Sequence, residues 1–230
     1  MNWLMDNMEG IAFIFFACAV FGAFAALFYQ EKKRVEAIMA MAPRMGFTYK
    51  KVDESCRGSH LFLELFNEGE AQRFANVLEG VRNGVKVTMG EYDVRFGSGK
   101  GSVHKPKTIC VIEDTALALP HFSLYTQHKL AAKIGAALGM QDINFSDDKK
   151  FSDAFILQGD NETEIRNFFD EKIRKAFMKF TGNEIQMEAY KNTLVVHRGA
   201  TIDAQQWSPL LKDAFTIYEF LKTAGNSNQQ

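Results

Sequence analysis

The pattern of apolar and polar positions divides the chain near residue 30. Residues 11–28 read IAFIFFACAVFGAFAALF, a run of 18 without a charge, an amide or a hydroxyl. As a helix it is about 27 Å long, against about 30 Å for the hydrocarbon core of a bilayer. It is apolar on every face, whereas a helix on a globular surface would carry a polar stripe. Trp3 and Tyr29 flank it, where amphipathic aromatics prefer the headgroup region. A cleaved signal is the rival reading, since Ala23-Phe24-Ala25 has the small-x-small form of a cleavage site. Asp6 and Glu9 precede the run without any Lys or Arg, and a secretory signal begins with positive charge. The pattern therefore predicts a transmembrane anchor over 1–30, meeting the lipid bilayer through 11–28. A juxtamembrane helix over 31–44 follows, stopped by Pro43.

Beyond the anchor, periods of two and of about 3.6 take turns. The segments 74–82 and 85–96 are strand-like and meet at Asn83-Gly84, a strong hairpin signal. Val85, Val87 and Met89 alternate onto one face, then the phase slips to Tyr92, Val94 and Phe96. Gly90 stands at the slip, which predicts a bulge there. Short strands are also predicted from Gly46-Phe47-Thr48-Tyr49, over 108–113 after Pro106, over 122–125 after Pro120, and over 151–157. A second hairpin, 185–190 with 193–197, turns at Lys191-Asn192.

Helical spacing recurs three times. Leu130, Ile134 and Leu138 form the first stripe, ended by Gly139. Ile165, Phe169, Ile173, Phe177 and Phe180 form the second, after a capping-box-like Asn161 and Glu164. Leu211, Ala214, Phe215, Tyr218 and Leu221 form the third, opened by Ser208-Pro209. Strands and helices are segregated rather than strictly alternating. The expected class is α+β: an N-terminal transmembrane helix, then a domain of antiparallel meander and hairpins with three main helices. That domain spans 45–224, with a division near 150 into two hairpin-containing halves as one arrangement, and 225–230 is a polar tail expected to be disordered.

Charge adds direction. All 27 Lys and Arg follow residue 30, with 26 of the 28 acids, Asp6 and Glu9 being the other two. The membrane-proximal basic cluster Lys32, Lys33 and Arg34 predicts an N-terminus outside and a cytoplasmic C-terminal domain at the plasma (inner) membrane. A nearly neutral domain does not carry the basic excess of a nucleic-acid binder. Three cysteines, Cys18, Cys56 and Cys110, make no disulfide framework, and Cys110 in TICVI reads as a buried thiol. That suits a reducing cytosol.

Three patterns resemble a family of bacterial single-pass membrane proteins of uncharacterised function. They are Asn76-Val77-Leu78-Glu79-Gly80, Leu119-Pro120-His121-Phe122-Ser123-Leu124, and Phe151-Ser152-Asp153-Ala154-Phe155-Ile156-Leu157-Gln158-Gly159. The resemblance implies a membrane location and this architecture, and brings no catalytic residue.

Candidate chemistry is sparse. Gly97-Ser98-Gly99-Lys100-Gly101-Ser102 has the glycines of a phosphate loop, but Gly101 follows the lysine where Ser or Thr is required, and a strand follows where a helix is needed. His60, His104, His121, His128 and His197 show no metal-ligand spacing, and Asp142, Asp147 and Asp148 lack the calcium-loop pattern. Ser123, close to His121 and His128, reads as the solvent face of its strand. No catalytic residue, metal site or cofactor is expected. Candidates for ligand or partner contact are His121, His197 and Phe168, the last standing off its helix stripe. Two readings stand at this point. One is a membrane-anchored cytosolic interaction module with a membrane or cytosolic protein partner and no nucleic acid. The other is a membrane-tethered enzyme or small-ligand binder with its site between the two hairpin-containing halves.

Overall fold

The computed structural model describes residues 8–53, 63–67, 69, 71–97, 99–126 and 142–227. The stripe predicted over Leu130, Ile134 and Leu138 lies outside the described residues, as do Cys56, His60 and His128. The chain forms two compact units, Met1–Met41 and Ala42–Gln230.

The first unit is helix α1 (Met8–Met45), which runs on into the second. Its stretch Phe13–Met45 is long and apolar enough to cross a membrane by length and composition, with an 18-residue window of mean hydropathy 2.0. Phe21 and Phe28 are 77% and 76% exposed, so this is not the core helix of a globular fold. Pro43 does not stop the helix as expected; it lies within the last turn. The end is made by Gly46 at φ +71°, with Gly46 N–H donating to the Pro43 carbonyl (3.2 Å) and Phe47 N–H to the Ala42 carbonyl (2.8 Å). These two bonds are a Schellman closure, which glycine accommodates without a Cβ penalty.

The second unit is built on one eight-stranded antiparallel sheet. Its strands are β1 (Thr48–Val52), β2 (Ala71–Arg82), β3 (Val85–Phe96), β4 (Val103–Glu113), β5 (Leu119–Thr126), β6 (Phe155–Gly159), β7 (Gln186–Lys191) and β8 (Thr193–His197). Their order is β1-β2-β3-β4-β8-β7-β5-β6, so the late β7–β8 hairpin is inserted between β4 and β5. Strands from both sides of residue 150 thus share one sheet, and the compact unit has no division there. The α+β class is as the pattern predicts. The first hairpin turns at Asn83 (φ +54°) and Gly84 (φ +78°), the two positive values a type I′ turn demands.

The bulge falls on the other strand from the one expected. The β2–β3 register steps from Ala75↔Glu91 to Leu78↔Met89, placing Asn76 and Val77 against Gly90, while β3 runs against β4 without interruption. Asn76 takes φ +50°, a conformation its short polar side chain tolerates. Its amide donates to Glu91 (2.6 Å) and accepts from the Tyr49 hydroxyl (2.8 Å). Gly90 serves packing: a Cβ there would lie 2.6 Å from the Phe74 ring.

Both faces of the sheet are buried. Residues opposite one another on paired strands share a face. One such row, Leu78, Met89, Cys110, Val196, Met187, Leu124 and Leu157, crosses seven strands and is buried throughout. Helices cover this side: α2 (Lys149–Ala154), α3 (Glu162–Phe168), α4 (Glu171–Phe177) and α5 (Trp207–Ser227), with α5 packing on β4 and β8 and α3 on β5 and β6. On the opposite side Tyr92, Val94, Ile109, Val111 and Val195 form a core with Leu63, Leu65, Phe66, Phe74 and Val77. The phase slip along β3 therefore marks a change of buried face, not an extra residue in β3.

Two further elements differ from the pattern. The predicted strand 151–157 begins as helix α2, whose cap Asp148 accepts from Phe151 N–H (3.1 Å), and becomes β6 only at Phe155. The predicted single helix after Asn161 breaks at Phe169-Asp170. The Asp170 carboxylate accepts from Ile173 N–H (2.8 Å) and starts α4 afresh. The acidic patch is structural: Asp147 and Asp148 bind the buried Arg174 at 2.8 and 3.1 Å, and its guanidinium lies 4.3 Å from the Phe145 ring centroid.

Candidate functional site

The polar face of β5 and β7 carries the chief cluster of charged side chains buried in the sheet. The β5–β7 register slips between Leu119↔Lys191 and Phe122↔Ala189, which puts one extra residue into β5 at Pro120-His121. A bulge is where a central strand can hold a proline. At this bulge the His121 ring meets Glu188 of β7. Nε2 lies 3.2 Å from Glu188 Oε1, Nδ1 lies 2.6 Å from Asp160 Oδ2, and the ring centroid is 5.2 Å from that of Tyr190. The His121 and Glu188 side chains are 12% and 6% exposed, whereas Asp160 is 62% exposed.

The hydrogen bond to Glu188 raises the His121 pKa most; burial opposes it, and Asp160 adds to the rise, for a value of about 9. At neutral pH the ring is an imidazolium that donates one N–H to each carboxylate. It then offers no lone pair to a substrate proton or a metal ion. Glu188 has further partners: it accepts from Glu64 N–H (2.5 Å) and Leu65 N–H (3.0 Å). These are orphan donors of the tight 3-10 turn Glu64–Phe66, so a side chain 124 residues away in sequence caps that turn. The turn in turn lays Leu65 and Phe66 into the core.

Ser123 is not on a solvent face, contrary to expectation. It is buried beside this cluster, opposite Gln158 on one side and Glu188 on the other, and its Oγ has no hydrogen-bond partner among the described residues. Gln158 donates to Asp142 at 2.7 Å. The reason is the double burial of the sheet: alternate positions of β5 face a second interior, not water.

The other candidates are dispersed. His197 is buried on β8, accepts Gly199 N–H at Nδ1 (2.9 Å), and is separated from β5 by β7. Phe168 is buried, 6.2 Å from the Phe122 centroid and 5.8 Å from Phe169, so it offers no surface to a partner or a membrane. The break at Asp170 explains this, because ending α3 at Phe168 turns that ring onto β5. On α1, Lys32 pairs with Glu36 (3.8 Å), Arg34 with Glu31 (2.7 Å), and Lys33 lies over the Tyr29 ring at 4.6 Å. Cys110 is buried and desolvation pushes its thiol pKa up, as for an inert core cysteine. Among the described residues no group of three or more His, Cys, Asp or Glu is arranged to hold a metal ion.

Fold and cluster together define an α+β domain on one antiparallel sheet, part of whose second face is covered by a turn tied down through Glu188. No protein-family model matches the sequence, and no curated protein matches it. Among solved structures, the fold is similar to the crystal structure of the mycobacterial trehalose monomycolate transport factor A, TtfA. The two are 13% identical with a TM-score of 0.61, and the match covers 81% of this chain and 93% of that one. At that identity the likeness is one of fold.

Proposed function

We propose that this is a single-pass membrane protein whose α+β domain is an interaction module on the cytoplasmic side of a bacterial inner membrane. The observation that carries the reading is α1: an exposed helix with a wholly apolar run over 11–28, long enough to cross a membrane. Exposing such a surface to water is costly, and a bilayer removes the cost. The orientation is supported by Lys32, Lys33 and Arg34 following the apolar run. A role by contact is supported by His121, whose nitrogens are both engaged, and is compatible with the fold shared with TtfA, a mycobacterial transport factor. In this reading the chain belongs with the bacterial single-pass membrane proteins whose motifs it resembles. Anchoring confines the domain to two dimensions and raises its effective concentration towards other membrane proteins, so a weak interface suffices.

The test is crosslinking and copurification from membranes with the full chain, alongside a chain lacking residues 1–30. The full chain is expected to stay in the membrane after alkaline extraction and to capture a defined membrane or cytosolic protein. An impermeant thiol reagent on intact cells should leave Cys56 unlabelled. Recovery of the full chain in the soluble fraction, or an anchor-free chain that restores the cellular role completely, overturns the reading.

A further inference from the structure

We propose that the outer edge of β1 is a docking site for an acidic, extended segment of a partner protein, which pairs with it as an added strand; this deepens the interaction reading above and rests on it. The sheet ends in β1 on one side and in β6 on the other. The two ends differ. β6 is covered from outside: Ile143 N–H donates to the Leu157 carbonyl (2.8 Å), and Gln158 donates to Asp142 (2.7 Å). β1 pairs with β2 alone, and among the described residues no strand lies beyond it. Thr48, Lys50, Lys51 and Val52 are all exposed. A strand presents alternate N–H and C=O groups to either side, so the outer side of β1 keeps ladder groups for water or for an incoming strand.

The edge is also held ready. The Thr48 hydroxyl donates to the Glu79 carbonyl (3.1 Å), the Tyr49 hydroxyl to Asn76 (2.8 Å), and Asp53 N–H to the Phe74 carbonyl (3.0 Å). β1 is therefore fixed against β2 along its length, and a partner strand does not have to order it. Thr48, Tyr49 and Val52 are residue types that suit a pleated strand.

Charge selects the occupant. Residues 42–52 hold Arg44, Lys50 and Lys51 and not one Asp or Glu. Lys50 is neutralised by Glu79 (2.5 Å) and Asp53 (3.1 Å). Arg44 and Lys51 are exposed and make no ion pair among the described residues. A second copy fits poorly, because antiparallel pairing of 48–52 with itself sets Lys50 against Lys50, and like charges directly opposite destabilise a sheet. Edge lysines keep identical edges apart in this way. The same cations attract a strand that carries carboxylates, so repulsion of the wrong partner and attraction of the right one come from the same side chains. A strand with acids at some positions and a small apolar residue to lie beside Val52, 39% exposed, is the complement.

The test reads amide hydrogen exchange in the detergent-solubilised full chain, with a synthetic heptapeptide of alternating glutamate and valine as the probe. The peptide should slow exchange at alternate amides of β1 and leave those of α5 unchanged. Two matched peptides separate the causes. One has lysine in place of glutamate; the other keeps the glutamates but is N-methylated along its backbone, so it cannot donate to a ladder. Neither should protect β1. Arg44→Glu with Lys51→Glu should weaken binding of the acidic peptide about tenfold, and Lys51→Arg should retain it. No protection by the acidic peptide, equal protection by the lysine peptide, or equal binding of the N-methylated one overturns the proposal. Protection of β1 that grows with chain concentration in the absence of peptide gives the edge to a second copy and overturns it as well. All of these are read in detergent and do not depend on where the domain lies. The anchored reading is judged separately, by whether the full chain stays in the membrane after alkaline extraction.

Discussion

Replacing His121 by Gln should remove a stabilising charge that is present at neutral pH and absent in alkali. The His121 pKa stands at about 9 in the fold against 6.5 for the free group. A folded pKa above the unfolded one stabilises fully below the lower value, and the contribution is lost as pH rises through the higher. The whole shift corresponds to roughly 3 kcal/mol at about 1.4 kcal/mol per pH unit. Asp160 is 62% exposed, so water screens its part of the attraction. About 1–2 kcal/mol is the expected net contribution, chiefly from the buried Glu188 contact.

Thermal unfolding of the detergent-solubilised chain reads this directly. Trp207 is fully buried and reports loss of the α5 packing by fluorescence. For a unit of this size about 1 kcal/mol moves Tm by about 2–4 °C. The gap between wild type and His121→Gln should be about 2–8 °C near pH 6 and should close by about pH 10. Comparing the two chains at each pH cancels the other groups that titrate in that window. A gap that stays constant across the range would falsify the claim that His121 is held as an imidazolium.

The remaining predictions concern packing and caps. Asp170→Ala removes the acceptor for Ile173 N–H and should cost about 1 kcal/mol, with faster amide exchange confined to the first turn of α4. Gly90→Ala drives a Cβ to 2.6 Å from the Phe74 ring and should cost about 1–3 kcal/mol, seen as a lower urea midpoint with an unchanged slope. Phe168→Ala should lose about 3–5 kcal/mol through a cavity against Phe122 and Phe169. A stable Phe168→Ala chain that has lost only a binding partner would mean the ring is a surface contact after all.

Local signals in the chain carried the local structure. The apolar run of α1, the Asn83-Gly84 turn and the stripe of α5 are each contained within one element, and the described structure has them where the pattern puts them. Signals that depend on a neighbour misled. The slip at Gly90 is visible in β3, yet the extra residue is Asn76 in β2, because alternation reports which face a strand buries and not how many residues oppose it. The stripe through Ile165, Phe169 and Ile173 keeps its four-residue spacing across the break, so periodicity alone joins α3 to α4. Asp170, three residues before Ile173, was the available sign, since a short acceptor at that offset caps a helix start as Asn161 does for Glu164.

The charge cluster was illegible for a different reason. His121 and Glu188 are 67 residues apart, His121 and Asp160 are 39 apart, and they meet only because a late hairpin enters the sheet beside β5. Alternation in β7 places Met187 and Ala189 on the row under the helices and leaves Gln186, Glu188 and Tyr190 on the other side. In a sheet with one wet face that second set would be solvated, and polar residues there would ask for no partner. Here the turn Glu64–Phe66 covers part of that face, so Glu188 is dry and must be satisfied. The same contact that buries the carboxylate satisfies it: the turn that excludes water presents two backbone N–H groups, and His121 presents a third donor. Replacing Glu188 by Leu would leave those donors orphaned under an apolar cap, which costs more than the loss of one hydrogen bond. The acid in the middle of β7 is thus the fastening of the second core, and only the strand order reveals what it fastens.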